Sequence, residues 1–175
     1  MSGFAWSVVA CGVLLAGNTQ IASADPGLVI ERKALSLAAA RQILAAAESE
    51  AAARGVGVVI VVVDGAGTII ALSRMDGAQV ASVNVGIGKA RTAAIYRRPS
   101  REFEDQIRNG RVASLALADA TPLQGGIPIV VDGAVVGAVG VSGDTPVVDE
   151  AIALAGAAAI PSSEPRSIRP LTSGR

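Results

Sequence analysis

Val58-Val59-Ile60-Val61-Val62-Val63, running into Asp64-Gly65-Ala66-Gly67 and then Thr68 to Met75, is the stretch that decides the fold. An unbroken β-branched run this short cannot sustain a helix and loses side-chain freedom in one, whereas a pleated surface accommodates it. The glycine-bearing turn then folds the chain back as a hairpin. A second hairpin is written more plainly still: Ile127-Pro128-Ile129-Val130-Val131, the turn Asp132-Gly133, and an arm from Ala134 to Ser142. Gly137, Gly140 and Gly143 lie along this arm, where a missing side chain admits another backbone or a flat ligand.

Around these hairpins the apolar spacing changes to that of helices. Leu37, Ala40, Leu44, Ala47 and Ala51 form one stripe, with Ser36 as N-cap and Gly55 as terminator. Val80, Val83, Ile87, Ala90 and Ala94 form a second stripe in a helix running to Tyr96 and ended by Pro99. Ser100 to Asn109 has the look of a capping box, with Glu102 and Glu104 in the first turn and Gly110 as stop. Thr145 to Ile160 predicts a closing helix with Pro146 at its first turn. Helix, hairpin, helices, hairpin, helix contains no regular βαβ unit, so the expected class is α+β with an antiparallel sheet.

At the N-terminus, residues 1–24 carry no charge, run apolar from Phe4 to Ala16 and end in Ala22-Ser23-Ala24 before Asp25-Pro26. This reads as a secretory signal peptide, too short for a membrane span, and directs the protein to a periplasmic or secreted location. Cys11 has only ten residues before it and an apolar run after it, which disfavours lipidation. The expected division is therefore a leader over 1–24, an extended lead over 25–34, one domain over 35–160 and a flexible tail over 161–175.

Composition removes much chemistry. The 175 residues contain no histidine and one cysteine, and Phe4, Trp6 and Cys11 leave with the leader. Ser-His-Asp and Cys-His systems, His- or thiolate-bound zinc, disulfides and imidazole- or thiolate-ligated haem are all excluded. With 15 basic against 15 acidic residues, nothing marks a nucleic-acid partner. The basic excess is local: Lys89 to Arg111 holds seven cations against Glu102, Glu104 and Asp105, read either as a solvated or ion-paired surface or as an anion site.

The second helix carries the site candidates. At 100° per residue its apolar stripe leaves Ser82, Lys89 and Tyr96 on the far face, with Thr92 one turn beyond Lys89, while Arg91 falls near the buried edge. A guanidinium there needs an anion, either an internal carboxylate such as Asp64 or Asp76, or a ligand carboxylate. Asp64, Asp76 and Asp132 are explained by turn capping rather than acid–base catalysis. Gly86-Ile87-Gly88-Lys89 lacks the rest of a phosphate loop, and Gly65-Ala66-Gly67 opens a strand rather than a helix.

Several strings resemble one family in its own order: Arg74-Met75-Asp76-Gly77-Ala78, Gly88-Lys89-Ala90-Arg91-Thr92-Ala93-Ala94, Gly125-Gly126-Ile127-Pro128-Ile129, and Val139-Gly140-Val141-Ser142-Gly143. They are similar to the haem-degrading domain family that includes GlcG-like and secreted HbpS-like proteins, over about Leu35 to Ile160. The resemblance implies a profilin-like layered fold with a central antiparallel sheet flanked by helices. It also implies a homo-oligomer, often an octamer, and for some members haem as ligand. Since this chain has no histidine, haem would be held by apolar contact, with Lys89 or Arg91 on its propionates, Tyr96, Thr92 or Met75 near the metal, and Arg74 and Gly126 lining the site. The leading expectation is an exported binder of haem or a related flat anionic molecule. The alternatives are a cofactor-free enzyme of small carboxylate or diol catabolism using Lys89 and Arg91 at an oligomer interface, and a structural or sensory oligomer contacting a membrane protein. No residue is assigned a catalytic role.

Overall fold

The computed structural model describes Leu28 and residues 30–161. The leader and all of the tail except Pro161 lie outside the described residues. The chain divides into two units, Met1–Arg32 and Lys33–Arg175. Of the first, Leu28 and residues 30–32 form no helix or strand. The second holds α1 (Leu37–Ala53), β1 (Val59–Asp64), β2 (Ile69–Arg74), α2 (Ser82–Tyr96), α3 (Arg101–Arg108), the 3-10 turn η1 (Val112–Ala116), β3 (Gly126–Val131), β4 (Ala134–Ser142) and α4 (Pro146–Ala158).

The four strands form one sheet in the order β2-β1-β4-β3, every neighbour antiparallel, so the α+β expectation is met. Helices α1 and α4 cover one face and α2 the other. Strand β1 is therefore buried on both sides: Ile60 and Val62, with Val58 just before the strand, join the α1/α4 core while Val59, Val61 and Val63 meet α2. That two-sided burial is why the strand reads as a continuous apolar run instead of an alternating one.

Local signals placed the ends of two helices well. The Ser36 hydroxyl accepts from Ala39 N at 3.1 Å to cap α1, and Gly55 adopts φ +68° just beyond its end. The Thr145 hydroxyl caps α4 by accepting from Val148 N at 3.4 Å, with Pro146 in the first turn.

The face assigned to α2 holds in part, since Ala90 and Ala94 are buried and Val83 and Ile87 pack against the same cluster, but its edge at Val80 and the far face of Ser82 and Lys89 are corrected. Val80 precedes the helix and is 79% exposed, whereas Ser82, Gly86, Lys89, Ala90, Thr92, Ala93 and Ala94 are the buried residues. Small side chains make the contact: a Cβ on Gly86 would stand 3.3 Å from Val61 Cγ2, and one on Gly140 only 2.4 Å from both Ala90 N and Gly86 O. The bare arm of β4 thus admits a helix backbone. Close approach pulls the neighbouring polar residues inside as well, since β3 and the segment before it close over that side of α2. Ser100 is also corrected, as its side chain makes no cap to α3. Its hydroxyl instead donates to Leu123 O at 2.5 Å and accepts from Gly126 N at 2.8 Å.

Candidate functional site

Helix α2 has two flanks with different chemistry, and the sequence-predicted site residues divide between them. Lys89, Thr92, Tyr96 and Gly126 lie on the β3 side. Arg91 lies on the β2 side, and so does Arg74 at the end of that strand.

The β3 side is a closed polar interior. Lys89, 3% exposed, donates from Nζ to Asp149 Oδ2 at 2.7 Å and to Val141 O at 2.9 Å. The same carboxylate accepts from Asp144 N at 3.0 Å. Burial raises the Asp149 pKa above its ordinary value, and the Lys89 ammonium opposes that rise by hydrogen bond and by charge. Lys89 is therefore an internal counterion rather than a far-face residue, because its long stem reaches past the small residues of α2 to a carboxylate on α4. One turn on, the Thr92 hydroxyl donates to Gly88 O at 2.7 Å and accepts from Thr121 N at 2.7 Å. The Tyr96 hydroxyl donates to Ala118 O at 2.6 Å, and its ring meets Phe103 edge-on at 5.1 Å. Gln124 and Arg101 both donate to the buried Glu150, while Gln124 N donates to Glu104 Oε2 at 2.7 Å. Residues 118–126 are held in this way at one position after another. Gly126 offers no ligand space, since a Cβ there would stand 2.2 Å from Lys89 O.

Sequence reasoning missed Asp149, Glu150, Gln124 and Thr121. A weak signal existed in two adjacent carboxylates inside the apolar α4, a costly placement unless both are partnered.

The β2 side is open. Residues opposite one another in an antiparallel pair share a face, so Leu72 and Ile69, paired with Val61 and Val63, point toward the α2 layer. Helix α2 packs on β4, β3 and β1 and leaves that part of β2 bare: Ile69 is 43% and Leu72 38% exposed. Val83, Ile87 and Arg91 descend the adjoining side of α2 at four-residue spacing, with Val83 and Ile87 only partly buried against β1. Arg91 Nε donates to Gly67 O at 3.4 Å, and no carboxylate among the described residues pairs with it, so neither Asp64 nor Asp76 is its partner. Asp64 caps its own turn, accepting from Ala66 N and Thr68 N at 2.9 Å each. Arg74 leaves the other end of β2, donating to Ala78 O at 3.5 Å at the rim of an open cleft of about 820 Å³ that Met75 and Glu48 also line.

This flank is an uncovered apolar strip, and among its described residues there is no histidine or cysteine to ligate an iron. The chain has no histidine, Tyr96 is committed on the other flank, and Met75 packs with the α1 side of the core. No step through a metal follows from these residues. No described helix is long and apolar enough to cross a membrane.

A family model described as haem degrading protein HbpS-like matches residues 35–158. The GlcG protein of Escherichia coli K12 is 44% identical over 108 residues, which is 62% of this chain and 81% of that protein. The crystal structure of HbpS superposes with a TM-score of 0.74 at 30% identity, covering 80% of this chain and 99% of that one. The crystal structure of a PduOC:heme complex does so at 0.67 and 30%, covering 73% and 95%.

Proposed function

This chain belongs to the HbpS-like family of haem-degrading proteins, and on that premise we propose that it binds haem, or a related flat anionic molecule, on the open flank between α2 and β2. The observation that carries the reading is the uncovered apolar strip of Ile69 and Leu72 beside Val83 and Ile87. A flat ring laid there removes apolar surface from water on both partners, worth about 25 cal/mol per Å² before the cost of association. Kinship supports the ligand class, since a structural neighbour was crystallised with haem. With no histidine to ligate iron, apolar contact with the ring carries the binding in this reading.

Titration of the purified full chain with hemin, followed in the Soret band, tests this. Saturable binding that Leu72→Asp weakens is the expected result, and no saturable change would overturn the reading. Export through the leader over 1–24 is part of the same proposal; N-terminal sequencing of protein recovered from outside the cytoplasm should begin at Asp25. So is a homo-oligomer, an octamer by family likeness, for which exposed Val112, Leu115, Val147 and Leu154 are available apolar contacts. A monomer in sedimentation at micromolar concentration would exclude it. The enzyme reading is not favoured, because the lysine it relied on to hold substrate is consumed by Asp149.

A further inference from the structure

We propose that Arg91, seated on Gly67, reads the carboxylate edge of the bound ligand and fixes its orientation, with the acidic edge toward the β1–β2 turn and the ring over Ile69, Leu72 and Ile87. The inference rests on the binding reading above and adds the ligand's required charge and the end of the strip at which that charge sits. Three observations carry it. The Arg91 side chain lies across the buried Gly67, where an added Cβ would stand 2.9 Å from Arg91 Cγ and 3.2 Å from Ile95 Cγ2, so the bare glycine is what lets the stem lie flat. Gly67 holds φ +84°, a backbone region that already disfavours any other residue. The guanidinium has only the long bond to Gly67 O, and among the described arginines without a carboxylate Arg91 is half-buried while Arg32, Arg41, Arg74, Arg97 and Arg111 are exposed. An arginine held in place and left without an anion presents its fork of donors to an incoming one. Asp64, three residues before Gly67, keeps its Oδ1 on the Ala66 and Thr68 amides.

Arg74 does not share this role. It stands five residues from Ile69, about 16 Å along an extended strand, and turns to Ala78 O. The two carboxylates of a porphyrin leave one edge of the ring, so one molecule cannot reach both arginines with them. The ligand class is thus a flat apolar body with its acid at one edge.

Binding of protoporphyrin IX and of its dimethyl ester to the full chain, followed by porphyrin fluorescence, tests the assignment without involving iron. The parent protein should prefer the free acid by at least about tenfold, the scale of a charge-assisted hydrogen bond. Arg91→Gln should erase the preference by weakening the acid and not the ester, Arg91→Lys should keep part of it, and Arg74→Gln should keep all of it. Equal loss of acid and ester in Arg91→Gln, or loss of the preference in Arg74→Gln instead, would overturn the role of Arg91 while leaving the binding reading intact. Failure of the parent protein to bind either porphyrin would overturn both.

Discussion

Replacing Lys89 with methionine tests the energetic centre of the β3 side. The two side chains of the Lys89–Asp149 pair are 4% and 2% exposed, so solvent does little to screen the charge that is left behind. Breaking a buried pair from one side typically costs about 3–5 kcal/mol, a large part of the roughly 5–15 kcal/mol that stabilises a domain of this size. Asp149 would keep only the bond from Asp144 N. Removing both charges, as in Lys89→Met with Asp149→Leu, avoids the stranded carboxylate and should recover most of the loss, leaving about 1 kcal/mol for the freed Asp144 amide. The pH dependence has a definite sign. Burial already raises Asp149 in the folded state, and loss of Lys89 removes what opposes the rise. The folded variant then holds the proton more tightly than the unfolded chain, so its stability is present at low pH and is lost as pH climbs through the folded-state pKa. Urea unfolding followed by far-UV circular dichroism should show Lys89→Met closing on the parent as the pH is lowered. A single variant within about 1 kcal/mol of the parent, or a double variant no more stable than the single, would refute the reasoning.

Gly140→Ala should lower stability by about 1–3 kcal/mol, toward the upper end because the added Cβ meets backbone at Ala90 N and Gly86 O instead of movable side chains. Thermal unfolding measures it, and an unchanged Tm would contradict the close helix–sheet contact. Thr92→Val keeps the buried shape but strands the Thr121 amide, costing about 1–3 kcal/mol. Amide exchange should quicken at Thr121 and its neighbours, and exchange rates equal to the parent's would count against Thr92 as the fastener.

Both hairpins and the ends of α1 and α4 were legible because their determinants are local: β-branched runs, glycine turns, and capping hydroxyls within a few residues of their partners. The orientation of α2 was legible only in part: its stripe holds the buried Ala90 and Ala94, but the apolar count also rewards the exposed Val80 and passes over Gly86 and Ala93, which the sheet takes. Lys89 finds its counterion sixty residues away, a pairing that no periodicity reports. Ser100 was misread for a related reason, since tertiary bonds to Leu123 and Gly126 replaced the local cap that its position suggested. The turn η1 and the segment after it carry no repeating pattern, so the partners of Thr92 and Tyr96 were invisible as well. Of the site itself, Arg91 near a buried edge could be read from helical geometry. The bare face of β2 beside it depends on where α2 stops covering the sheet, which only the packed structure reveals.

The most direct measurement of the central claim is hydrogen–deuterium exchange of the full chain with and without saturating hemin. Ligand-dependent protection should fall on Ile69–Arg74 and on residues 83–91, and spare residues 117–126. Protection at 117–126 with none along β2, or no protection at all, would contradict a ligand on the open flank.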